Sequence, residues 1–181
     1  YFEYLSTSSI NLDESMIKSA AEGISVGCGV RVISGDKTGY SYTDDLAPEK
    51  IMHAARVATH IASSPSTHRV ASLVGAPHQN TLYPVTAPFT DNTMRSKITL
   101  LERADHAARA YDARVFQVQA SYADAVKHLL ITTSEGIITS DTQPMTRLNV
   151  SVLAKQGSVI ERGQDGAGGR VGLDFFDAEH T

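Results

Sequence analysis

The sequence predicts an α+β fold, a mostly antiparallel sheet with two main helices packed on one face, and three observations carry that prediction. Alternating apolar and polar residues dominate both ends of the chain, the period of half-buried strands. Two stretches, starting near Pro48 and Thr93, repeat instead at helical spacing. Glycine-bearing turns separate the alternating segments, as hairpins require.

Tyr1 to Leu5 alternates and reads as a strand already under way, so the chain is expected to be a piece of a longer polypeptide. Ser6 to Ser9 predicts a polar turn. Ile10-Asn11-Leu12 and Met16 to Ala20 predict a second strand interrupted at Asp13-Glu14-Ser15. Ser25 to Ser34 predicts a longer strand with Val26, Cys28, Val30 and Val32 on one face and the bare Gly27 and Gly29 on the other. Gly35 and Gly39, both able to take positive φ, frame a hairpin into Tyr40-Ser41-Tyr42. Asp44 or Asp45 is expected to cap a helix starting near Pro48, whose inner stripe is Ile51, Ala54, Ala55, Ala58, Ile61 and Ala62. Ser63 to Ser66 ends it.

Residues 64–92 hold four of the six prolines and predict a linker, with one short strand around Val70 to Val74. A second helix follows from Thr93 to Tyr111, with Ile98, Leu101, Ala104, Ala108 and Tyr111 inward and Arg95, Lys97, Glu102 and Arg103 in water. Strands are then predicted at Val115 to Tyr122, Lys127 to Thr133, Ile137 to Thr139 and Met145 to Ala154, the last turning at Lys155 to Ser158 into Val159 to Arg162. The organisation is therefore a first β-rich half with helix (1–63), a Pro-rich linker (64–92) and a second half (93–181) ending in a glycine-rich loop. A strand-hairpin unit recurs in both halves, which suggests internal duplication.

The composition, 41% hydrophobic and 20% charged, is that of a globular chain, and at 181 residues roughly 70% of the unfolded surface can be buried without disulfides. A net charge of -4 lacks the basic footprint of a nucleic-acid surface. No apolar run is long enough to span a bilayer. With Cys28 alone, neither an internal disulfide nor a multi-cysteine zinc site can form. These features point to an intracellular chain.

Searches for chemistry come back mostly empty. None of His53, His60, His68, His78, His106, His128 and His180 pairs at four or five residues with an adjacent Glu, the spacing by which a helix aims two imidazoles at one zinc. No Gly-x-Ser-x-Gly elbow is present. Cys28, on an apolar strand face, reads as a small buried hydrophobe. The pairs Asp13-Glu14 and Asp44-Asp45 fall in turns, where capping explains them.

The segment Glu161 to Gly172 stands out, with five glycines in twelve residues bracketed by Arg162 and Arg170. It is neither a Walker A loop nor a dinucleotide fingerprint. It reads either as a flexible connector or as a loop whose bare amides approach a ligand or another chain, with the arginines holding a carboxylate.

Here the chain resembles the N-terminal domain of the TldD/PmbA family, nearer its TldD branch. The residues that carry the likeness are Arg147 to Val152, Glu161-Arg162-Gly163, Gly168-Gly169-Arg170 and Asp174-Phe175-Phe176. Gly29 to Tyr40, Leu82-Tyr83-Pro84 and Leu100 to Asp105 agree in order. Cys28 and Ala167 depart from the family pattern, each by a small residue. The resemblance implies a cytoplasmic zinc metallopeptidase, also known as a modulator of DNA gyrase, that works as a homodimer or a TldD–TldE heterodimer on peptide or unfolded protein. It places the zinc in a C-terminal domain, on a His-Glu-x-x-x-His helix and a distant Cys outside these residues. The expected role of this chain is then non-catalytic: to frame the substrate channel and support assembly. Arg162, Gly163, Gly168, Gly169 and Arg170 are the candidate channel or partner contacts, and no catalytic residue and no metal ligand is expected here. The competing reading is a binding module acting on gyrase or another protein without catalysis.

Overall fold

A computed structural model describes residues 1–63, 78–79 and 93–177. The fold is α+β, with strands β1 (Phe2–Asp13), β2 (Met16–Ser34) and β3 (Lys37–Thr43), then helix α1 (Pro48–Ile61) and strand β4 (His78–Gln79). Helix α2 (Met94–Tyr111), strands β5 (Val115–Thr132), β6 (Ile138–Gln156) and β7 (Val159–Gly169), and a 3-10 turn at Leu173–Phe176 complete it. The sheet runs β3-β2-β1-β5-β6-β4, and β7 also pairs with β6. The pairs β2/β3 and β6/β7 are antiparallel, whereas β4 lies parallel to β6. The triplets β1-β2-β3 and β5-β6-β7 are each meanders, with a helix after the first and before the second. The predicted strand around Val70 to Val74, and the 64–92 linker apart from His78–Gln79, lie outside the described residues.

Several expected breaks are absent because tertiary contacts satisfy the residues that suggested them. Ser6 to Ser9 is not a turn but the middle of β1. Serine favours turns by bonding its own backbone, yet the Ser8 hydroxyl is spent elsewhere, donating to Asp124 Oδ1 at 2.7 Å and accepting from Lys97 Nζ at 2.7 Å. The two strands expected between Met16 and Ser34 are one, as are those expected within Val115 to Thr132 and within Ile138 to Gln156. The interruption at 13–15 is the β1–β2 hairpin itself. Glu14 and Ser15 take φ of 53° and 59° without being glycine, a conformation that costs an L-residue about 1–2 kcal/mol. Ser15 is held there by donating its hydroxyl to the buried Asp105 of α2 at 2.7 Å.

The glycine-rich segment, expected as a loop, is mostly strand: β7 pairs with β6 from Gln156↔Val159 to Thr146↔Gly169. Extended backbone demands no glycine, but close approach does. A Cβ on Gly168 would stand 2.1 Å from the Thr146 carbonyl oxygen. One on Gly166 would strike Asn149 Oδ1 at 2.5 Å.

By its contacts the chain divides into two compact units. The first comprises Tyr1–Leu5, Ile24–Leu82 and Lys127–Thr142, the second Ser6–Gly23, Tyr83–Val126 and Gln143–Thr181. In the first unit α1 packs on β3 through small side chains, and Ala54, Ala58, Ala62 and Cys28 are buried. Gly39 does not form the turn there. Only Gly35 of the expected pair has positive φ, while Gly39 is buried beside α1. The α1 N-cap is Ala47, with no side-chain cap, although Asp45 accepts from the Ala47 amide at 2.9 Å. Ile61, assigned to the inner stripe, is exposed.

In the second unit Leu100 and Leu101 of α2 join Ile10, Leu12, Ala120, Tyr122, Leu148 and Phe176 in the core. Thr93 caps α2, accepting from the Ser96 amide at 3.2 Å. Tyr111 is 90% exposed rather than inward. Lys97 is buried rather than wet, because its ammonium sits 2.7 Å from Asp124 Oδ2.

Candidate functional site

The second unit carries a groove of about 670 Å³ across the sheet, lined by residues of β2, β1, β5, β6 and β7. Ala21 and Gly23 of β2 and Ala123 and Ala125 of β5 line it at alternate positions, so their small side chains share one face of the sheet. Gly168 and Gly169 of β7 line its far end beside Met145 and Arg147 of β6. A trough forms here because Ala21, Gly23, Ala123 and Ala125 are small, while the exposed Glu22, Met145 and Arg147 also line it.

Two of the five candidate residues, Gly168 and Gly169, therefore belong to this groove, and the other three do not. Arg162 lies further along β7, opposite Leu153, and donates from Nε to Ser151 Oγ at 3.0 Å. Gly163 is opposite Val152, about 17 Å along the strand from Gly168. Arg170, half-buried, follows the end of β7 outside the lining. Sequence reading missed the groove floor. The signal was present as Ala21-x-Gly23 and Ala123-x-Ala125, but nothing local shows that these segments lie on neighbouring strands.

Charge at the groove is sparse and organised. Arg147 donates from Nε to Asn149 Oδ1 at 2.8 Å, which fixes its guanidinium over the space left by Gly166. Ser8 and Asp124 also contribute to the lining and are tied to the buried Lys97. Tyr122, one residue before Ala123, is buried, and its hydroxyl makes no hydrogen bond of normal geometry. Burial first, and then the charge of Asp124, push its pKa well above the ordinary tyrosine range. It is a neutral phenol at physiological pH.

Among the described residues no three His, Cys, Asp or Glu side chains converge closely enough to hold a metal ion. His128 Nδ1 lies 3.1 Å from Thr142 Oγ1, and its ring is 6.0 Å from that of Tyr4. Cys28 is buried. No helix among the described residues is long and apolar enough to cross a membrane. The groove offers small side chains, the fixed guanidinium of Arg147 and the exposed carboxylate of Glu22, an arrangement with room for an extended chain.

Residues 1–62 match the family described as PmbA/TldA metallopeptidase domain 1, and residues 87–180 match its central domain. A metalloprotease TldD homolog of Haemophilus influenzae is 34% identical over 97% of this chain and 37% of its own length. A homolog of the same name from Buchnera aphidicola is 30% identical over 97% of the chain and 36% of its own length. The chain thus spans little more than a third of these curated relatives. Among solved structures, a candidate modulator of a DNA gyrase from Thermotoga maritima superposes with a TM-score of 0.73 at 18% identity, covering 94% of this chain and 39% of that one. TldE from Thermococcus kodakarensis superposes at 0.59 and 16% identity, covering 94% and 40%. At such identities these two likenesses speak for the fold, while the matched domains, which cover most of the sequence, place the chain in the TldD/PmbA family.

Proposed function

We propose that this chain is the non-catalytic, N-terminal part of a TldD-like metallopeptidase, and that the groove in the second unit is a wall of its substrate channel. The observation that carries this reading is the set of alanines and glycines that β2, β5 and β7 contribute to the groove, Ala21, Gly23, Ala123, Ala125, Gly168 and Gly169, with the short Thr7, Ser8 and Ser9 of β1 among them. An extended peptide needs a surface without projecting side chains if its own backbone is to lie close, and bare strands provide one. Arg147 would meet a carboxylate or a carbonyl of that peptide, while Arg162 and Arg170 remain candidates for contact with a partner subunit.

The residues described here do not fit a metal site, so no step of metal chemistry is derived from them. The family name implies a metal, zinc by resemblance, and the reading assigns it to the remaining length of the protein, whose relatives are nearly three times as long as the match. The chain would then bind and orient the peptide in the cytoplasm, within a homodimer or a TldD–TldE type assembly.

Ala123 tests this directly. It is exposed on the groove floor, so Ala123→Arg in the full-length protein adds bulk without disturbing the core. Peptide hydrolysis should fall at least about tenfold, with KM raised and the assembly state unchanged by size-exclusion chromatography. Hydrolysis at the original rate by a correctly assembled Ala123→Arg protein would remove the groove from the substrate path. Arg170→Ala tests the edge separately: unchanged turnover together with unchanged assembly would release that arginine from either role.

A further inference from the structure

The first unit carries a second surface, independent of the groove and of the reading just given. Tyr1 exchanges both backbone hydrogen bonds with Gly29, at 3.1 and 2.9 Å, and Gly29 is paired with Tyr42. Residues opposed in this way point to the same face, as do residues two apart on a strand. Gly27 and Gly29 of β2 therefore form a bare strip between Tyr1, which precedes β1, and Glu3 of β1 on one side and Tyr40 and Tyr42 of β3 on the other.

Tyr40 leans over that strip. A Cβ on Gly29 would stand 2.7 Å from its hydroxyl, so glycine is what admits the ring. The resulting trough, about 300 Å³, is lined by the three tyrosines, and among the described residues its charged side chains are Glu3 and Asp44. Tyr42 is 76% and Tyr40 58% exposed. Glu3 accepts from the Tyr1 hydroxyl and lies 3.5 Å from Lys127, and the first of these contacts holds its carboxyl below the usual range. The same bond with Glu3 pushes the Tyr1 phenol up to about 12, so the trough presents a carboxylate beside a neutral ring. Among the described residues Asp44 makes no ion pair.

We propose that this tyrosine-walled trough docks a basic side chain, lysine or arginine, of an extended peptide. A cation gains from the π-face of an aromatic ring and from a nearby carboxylate together, and loses little water where the rings stay partly wet. The glycine strip lets the alkyl stem and the adjoining backbone approach the sheet. An acidic residue would instead face the carboxylates of Glu3 and Asp44. Arg31, opposite Tyr40 on the same face, lies outside the lining and sets the polarity of the trough, so the cation seats at the Glu3–Asp44 end.

Calorimetric titration of the full-length protein at low salt, with acetyl-tetralysine amide as probe and acetyl-tetraglutamate and acetyl-tetraalanine amides as controls, decides the matter. Only the lysine peptide should bind saturably. Tyr42→Ala and Asp44→Asn should each weaken it about three- to fivefold, the effect of losing one exposed cation–π or charge contact. Glu161→Gln, an exposed acid on β7, should leave it unchanged. No saturable binding, equal binding of the alanine peptide, or equal weakening by Glu161→Gln and Asp44→Asn would overturn the proposal. Peptide hydrolysis by these variants is a separate readout, so failure here leaves the channel wall standing, and the reverse holds too.

Discussion

A Cβ on Gly39 would stand 1.9 Å from the carbonyl oxygen of Ala58 and 2.9 Å from the amide nitrogen of Ala62. Those are backbone atoms of α1 and the residue after it, so neither can swing aside, and the helix or the strand must shift. Gly39→Ala is expected to destabilise the fold by about 2 kcal/mol or more, as overpacking does, measured as a lowered urea midpoint at unchanged slope. Lys97 presents the opposite case, a charge rather than a void. It is paired at 2.7 Å with Asp124 where both are largely shielded from water. Lys97→Met would leave the Asp124 carboxylate uncompensated, and a loss of about 3 kcal/mol or more is expected from chemical denaturation. Adding Asp124→Leu should recover part of it, because the stranded charge is then gone. Sequence reading put Lys97 in water for a sound local reason: lysine is almost never buried unless paired, and its partner lies 27 residues away on another element.

At the scale of elements, both helices were legible because 3.6-residue periodicity and the Pro48 and Thr93 start signals are local. The strands were legible as strands, though their lengths were not. Polar residues such as Ser6 to Ser9 look like turn formers until cross-strand partners satisfy them. The connection from α2 to β5 shows such satisfaction within a few residues. Arg114 Nε donates to both carboxylate oxygens of Asp112, at 2.9 and 3.1 Å, and its backbone amide adds a third bond at 2.8 Å. The side-chain bonds to Arg114 lead the effect that lowers the Asp112 pKa from 3.8 to about 2. A carboxyl depressed on folding stabilises the fold above its ordinary pKa, and that contribution is lost as pH falls through the folded value. The increment from Asp112 should therefore be intact above pH 4 and fade towards pH 2. Arg114→Ala should return the Asp112 midpoint to the usual carboxylate range by NMR titration, and a midpoint unmoved by the substitution would refute the assignment.

Across the whole molecule, the two units differ in what they bury. Among the described residues the first closes on alanines and a cysteine, the second on leucines, a tyrosine and a phenylalanine. Burying leucine in place of alanine adds about 2 kcal/mol for each side chain. Amides of α2 should therefore exchange with deuterium at least about tenfold more slowly than those of α1 under native conditions, and equal protection would contradict this. The glycine-rich segment shows most plainly how far the sequence reaches. Its composition marked Glu161 to Gly172 as unusual, and the likeness of its motifs to the TldD/PmbA family was readable without coordinates. That Gly166 and Gly168 serve a tight strand pairing, and that only Gly168 and Gly169 of the candidates line the groove, was not readable. Periodicity, helix starts, hairpin turns and family membership are written in neighbouring residues, so the chain alone determined them. Strand length, the burial of Lys97 and the floors of both troughs depend on which distant segments lie side by side, and only the assembled sheet decides that.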